Sequence, residues 1–372
     1  MHRTIAILLL CLSSLFAFGQ DELAAVWSRT FPELSPKTYP IPSAIALATN
    51  GKCAAIAGAG KVEVLDSTGK VLWTWEYGRV NKFITAGALA LSPSCDEVAL
   101  AGDSGYKYTW IADRHGLKVP IQTTSTPLSL TFSHNNELVA LGTGGCDLLL
   151  ITKSGEVKWK KGFSNGFCVL GKLSFSADDK FILLQGSSTG VVGIDGNVIW
   201  MTSDSGMSAA RDLRTFVSWW VPNHGPSWGR ITALDGKGKE LWRRTAPGIS
   251  GAISASGDTI AAPVYANQNM TQEQWNALDE QDVEVQVFSR SGGVLKSMLV
   301  ERAELLAMSP DGNGLLLRLE SAIKELDLNG NTLATIPDRQ LSYSTVLVPE
   351  DFAGALILSR NPELQLRWYK LK

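Results

Sequence analysis

The feature that most constrains this chain is a polar turn that recurs between pairs of short apolar runs. It appears as Thr49-Asn50-Gly51-Lys52, Ser92-Pro93-Ser94-Cys95, Ser133-His134-Asn135-Asn136, Ser176-Ala177-Asp178-Asp179, Arg211-Asp212, Ser256-Gly257-Asp258, Ser309-Pro310-Asp311-Gly312 and Pro349-Glu350-Asp351. Asn-Gly and Asp-Gly mark hairpins, because these residues accept positive φ cheaply. From Asn50 to Glu350 seven intervals give a mean period of about 43 residues, the size of a four-stranded blade.

A second mark keeps the same period: a glycine with tryptophan four residues later, at Gly69…Trp73, Gly155…Trp159, Gly196…Trp200 and Gly238…Trp242. The glycine suits a tight turn between third and fourth strands. The tryptophan opens the fourth strand and offers a large apolar face to the neighbouring blade. In units two, six and seven the aligned positions are Pro120, Lys296 and Ala334. Flanking runs are short and alternate or are wholly apolar, as strands do. Unit four shows the whole pattern, with strands at Lys172–Phe175, Lys180–Gln185, Gly190–Ile194 and Val198–Thr202. Only Thr271 to Leu278 has a trace of helical periodicity.

The last unit supplies three strands, Thr345–Val348, Ala355–Leu358 and Gln365–Leu371. Its fourth is expected from the other end of the chain, where Val26-Trp27-Ser28-Arg29-Thr30-Phe31 matches Lys158-Trp159-Lys160-Lys161-Gly162-Phe163. The expected fold is therefore all-β, one closed propeller over residues 20–372. It has about eight four-stranded blades, seven being the alternative count, and closure protects the strand edges.

Val64-Leu65-Asp66-Ser67-Thr68-Gly69-Lys70-Val71-Leu72-Trp73 and Ala233-Leu234-Asp235-Gly236-Lys237-Gly238-Lys239-Glu240-Leu241-Trp242 resemble the tryptophan-docking repeat, A-x-D-x-x-T-G-x-x-x-W, of quinoprotein-like propellers. Ser309-Pro310-Asp311-Gly312 resembles the first turn of WD-repeat and YVTN-type blades. The resemblance implies a structural docking role for Trp27, Trp73, Trp159, Trp200 and Trp242. That group includes dehydrogenases using pyrroloquinoline quinone (PQQ) and non-catalytic members of the outer-membrane assembly factor B type. The dehydrogenases typically carry a vicinal cysteine pair, which this chain lacks, and their calcium-binding Glu and Asn and catalytic Asp have no match here.

Residues 1–19 read as an export signal: Arg3, then an apolar run from Ile5 to Phe18, then Ala17-Phe18-Gly19 with the small-x-small form of a cleavage site. The run is about 14 residues where a membrane span needs about 20. Cys11 lacks a small residue before it, so no lipid anchor is expected. The expected location is secreted or periplasmic. Four cysteines follow, Cys53, Cys95, Cys146 and Cys168. Strand order puts Cys53 and Cys95 on one face of the ring and Cys146 and Cys168 on the other. Bridges need Cα atoms within about 7 Å, so Cys53–Cys95 with Cys146–Cys168 is the expected pairing. Four unbridged cysteines packed as small apolar residues are the alternative.

With 34 basic and 36 acidic residues there is no basic surplus for a nucleic-acid partner. No G-x-S-x-G, H-E-x-x-H or phosphate loop is present. His115 and His134 sit by turns and are expected at the surface. Two connections are unusually long: Val221 to Arg230 in unit five, and Tyr265 to Asp282 in unit six. Both join second to third strands, so both should emerge on one face of adjacent blades, and long loops on a rigid scaffold commonly carry function. His224, Trp228, Arg230, Trp275, Asp279, Glu280 and Asp282 are the expected partner-binding residues, with the tryptophans as anchors. Asp279, Glu280 and Asp282 lack the spacing of a calcium loop. The expected function is a non-catalytic, scaffold-like, monomeric propeller that binds a protein or other extracellular ligand without a cofactor. The alternative is a divergent PQQ-dependent dehydrogenase or a calcium-using hydrolase with its site in the central channel.

Overall fold

The computed structural model describes residues 22–31, 44–58, 60–77, 86–102, 107–163, 170–186, 189–220, 229–246, 250–265, 268, 283–300, 304–319, 322–337, 345–359 and 364–372. These form eight antiparallel four-stranded sheets in a ring, an eight-bladed β-propeller. Seven blades take their strands in chain order. Blade four, for example, runs Leu170–Phe175, Phe181–Gly186, Thr189–Gly193 and Val198–Thr202. The eighth is built from both ends: Thr345–Leu347, Gly354–Ser359 and Leu364–Lys370 receive Trp27–Phe31 as outer strand, with Trp27 opposite Trp368 and Phe31 opposite Leu364.

Each blade's first strand runs from what we term the link face, where blades are joined, to the turn face, where the first hairpin turns lie. Second-to-third-strand connections therefore return to the link face. The first turns share one backbone device. Gly51, Cys95, Asn136, Asp179, Leu213, Gly257, Gly312 and Phe352 all adopt positive φ at equivalent places. Glycine, asparagine and aspartate do this readily; Leu213 and Phe352 adopt a conformation costing roughly 1–2 kcal/mol.

The apolar core is divided among the eight seams between blades. One cluster, containing Val139, Leu141, Ile111 and Phe132, fills the seam between blades two and three. Another, containing Phe31, Ala54, Ile56, Leu358 and Leu366, closes the ring between blades eight and one. The tryptophans complete these seams. Trp27 lies over Gly69 of the next blade and donates its indole N–H to the Ser67 carbonyl at 2.9 Å. A Cβ at Gly69, where φ is +81°, would stand 2.7 Å from the Trp27 ring. Trp159 and Trp242 reach the next blade similarly, donating to the carbonyls of Ile194 and Arg290. Trp73 donates to the carbonyl of Cys95.

The aspartate of the docking repeat has a local task. The Asp66 carboxylate accepts from the backbone N–H of Thr68 and Lys70, and Asp235 accepts from Lys237 and Lys239 in the same way. In seven blades the fourth strand then bulges by one residue, as between the partners of Val64 and Leu65. The bulged residue points outward, which explains the exposure of Leu72, Ile199, Leu241 and Leu295. Blade two corrects one sequence alignment. Val119, not Pro120, pairs with Ile111 at the register position that Trp73 holds opposite Val64. The turn there is one residue shorter, because Asp113 pairs directly with Gly116.

A disulfide joins Cys53 to Cys95, with Cα atoms 6.1 Å apart, and ties blade one to blade two on the turn face. Cys146 is buried; Cys168 lies outside the described residues, and so does the export segment 1–19.

Candidate functional site

The first strands of all eight blades surround a central channel of about 830 Å³. Its wall is largely aliphatic, with Ile45, Leu89, Leu130, Leu173, Leu306 and Val346 contributed by six different blades. Polar side chains concentrate at its two ends. Arg211 and Glu350 lie in first turns at the turn face, and Lys172 and Gln185 stand opposite each other on adjacent strands near the link face.

The turn-face end carries an ion-pair cluster drawn from three blades. His134 Nδ1 lies 3.0 Å from Asp179, and Nε2 lies 3.2 Å from Glu350, which is 216 residues away in the chain. The same Asp179 accepts from the backbone N–H of His134 and Asn135 at 2.8 Å. The hydrogen bond to Glu350, with that to Asp179, raises the imidazole pKa from its usual 6.5 to about 9, against the opposing effect of burial. His134 is therefore charged at neutral pH and half-buried, rather than free at the surface. Both nitrogens are occupied by carboxylates, so it offers no base to a substrate. Among the described residues no three His, Cys, Asp or Glu side chains are arranged to hold a metal ion.

At the link face, blade five pairs its second and third strands up to Trp220 opposite Arg230, and blade six up to Tyr265 opposite Val283. Both long connections thus rise from fully paired ladders in adjacent blades. In blade one the corresponding connection is only residues 59 and 60. Of the expected partner-binding residues, His224, Trp228, Trp275, Asp279, Glu280 and Asp282 lie outside the described residues. Arg230 is described and turns inward. Its guanidinium lies 2.7 Å from Asp204, whose side chain is only 3 % exposed, and stacks over Trp220 with 5.3 Å to the ring centroid. Ser218 also donates to Asp204, so the loop base of blade five is locked to the link before that blade.

No known family profile and no curated protein sequence matches the chain. Solved structures do. It is similar to BamB from Moraxella catarrhalis, with a TM-score of 0.62 and 12 % identity over 94 % of this chain and 98 % of that one. It is similar also to the Dos1 propeller, with a TM-score of 0.63 and 12 % identity over 94 % and 95 %. At that identity the likeness shows the propeller fold. Among the described residues no helix is long and apolar enough to cross a membrane.

Proposed function

We propose that the protein is an exported binding propeller that docks a protein partner on its link face, over blades five and six. The carrying observation is the pair of long connections, 221–228 and 266–282, rooted on neighbouring strand ladders that hold register to their last residues. A rigid base of this kind limits the entropy lost when loops engage a partner. The inward Arg230–Asp204 pair stiffens the same base. Trp228 and Trp275 are the side chains in these loops best suited as anchors. The Cys53–Cys95 bridge supports an oxidising compartment, in line with an export signal at residues 1–19. In this reading the propeller acts as a monomeric scaffold and uses neither quinone nor calcium.

The test pairs the full chain with its variant Trp228→Ala/Trp275→Ala in crosslinking from the producing cell. A partner crosslinked to wild type and lost from the variant, with an unchanged melting curve, is the expected result. Retention of the partner by the variant would overturn the assignment of this face. A large fall in melting temperature would show instead that both rings belong to the core.

A further inference from the structure

The channel contains an ammonium that has no ion-pair partner among the described residues. Lys172 lies in the first strand of blade four, four residues before the turn serine Ser176. The equivalent ladder places in other blades are held by small neutral residues such as Ala44, Ala88, Ser129, Gly206, Ser250 and Thr345, and in blade seven by Glu304, which lies opposite Arg318 as Lys172 lies opposite Gln185 and is ion-paired with it at 2.9 Å. Among the described residues Lys172 is thus the charge of its layer that has no ion-pair partner. Water reaches its side chain through the channel, but protein surrounds it on every side. That enclosure pushes the ammonium below the ordinary lysine range, and no ion pair or hydrogen bond acts in the opposite sense.

Space beside it is kept open. The strand bulges between Leu170 and Lys172, and the extra residue is Gly171. A Cβ there would meet only the Gln185 carbonyl, at 3.9 Å. The next layer towards the turn face is the aliphatic wall of Ile45, Leu89, Leu130, Leu173 and Val346. An ammonium at the head of such a wall matches a ligand that carries one carboxylate and an apolar tail. The volume of about 830 Å³ falls within the range of small-molecule sites, roughly 300–1,000 Å³.

We propose that the channel binds an amphipathic aliphatic carboxylate, its carboxylate paired with Lys172 near the link face and its tail lying along the aliphatic wall. Lys172 and the aliphatic wall belong to first strands, whereas the loops of the proposed docking face join second to third strands. Dodecanoate binding and partner crosslinking therefore succeed or fail independently.

The probes are dodecanoate and dodecanol, titrated calorimetrically below their aggregation limits into the full chain and into Lys172→Met, which keeps the length and apolar stem of the side chain. Wild type is expected to bind dodecanoate at least tenfold more tightly than dodecanol. Lys172→Met is expected to bind dodecanol as wild type does and to lose the preference. No binding of either probe, equal affinities in wild type, or a preference that survives in Lys172→Met would each overturn the proposal. A second measurement needs no variant: acetylation of wild type, mapped by peptide mass spectrometry. Dodecanoate should slow modification of Lys172 severalfold and leave exposed Lys52 unaffected; modification of Lys172 at an unchanged rate would refute the site.

Discussion

Truncating Phe31 to alanine should destabilise the whole ring by about 3–5 kcal/mol, the usual cost of removing a fully buried phenylalanine. The ring is 1 % exposed and packs with Ile56, Leu358, Leu364 and Leu366 in the seam between blades eight and one. It also receives Arg29 at 5.4 Å from its centroid, while Arg29 is fixed by an ion pair with Glu63 of blade one at 2.7 Å. The closing strand is only five residues long, and one side chain therefore supplies much of its anchorage. Since domains are stable by about 5–15 kcal/mol, the loss is a large share of the total. Urea unfolding followed by tryptophan fluorescence, with the disulfide intact, reads the change as a lower midpoint at unchanged slope. Val26→Ala is the control: Val26 is 57 % exposed, and its truncation should change stability by no more than about 0.5 kcal/mol. If Phe31→Ala unfolded within that same margin, the N-terminal strand would not be closing the ring.

Replacing Cys53 and Cys95 together by alanine removes a crosslink across a sequence separation of 42, which the loop-entropy account values at about 4 kcal/mol; a loss below about 1 kcal/mol in the same unfolding assay would contradict that account. The His134 cluster predicts a pH dependence. Its folded pKa of about 9 lies above the unfolded value near 6.5, so its stabilisation is fully present below pH 6.5 and is lost as pH rises through 9. Allowing for the exposure of Glu350, this amounts to about 1–2 kcal/mol. His134→Gln should abolish that part of the slope, and an NMR titration placing His134 at or below 6.5 would refute the cluster.

What the sequence carried by itself was whatever repeats or is local. The period of about 43 residues, marked by hairpin turns, specified the blades, because a four-stranded unit cannot bury its faces alone and must stack. The likeness of Val26–Phe31 to Lys158–Phe163 revealed the closing strand, since an outer strand looks alike in every blade. The Cys53–Cys95 bridge was legible for the same reason: successive first turns share a face. One shortened turn sufficed to misplace Val119 by a residue, because register depends on turn length rather than on side-chain pattern. The rest belongs to the ring. His134 and Glu350 stand 216 residues apart and meet only because eight blades close on a common axis. Arg230 looks like a loop residue until the link before blade five brings Asp204 beneath it. Lys172 reads as an ordinary polar residue in a strand, and its isolation emerges when the other first strands present to the same layer neutral residues or, in blade seven, a Glu304 already paired with Arg318. A channel draws one strand edge from each blade, so its chemistry is set by residues that chain spacing cannot group, and only the tertiary structure assembles it.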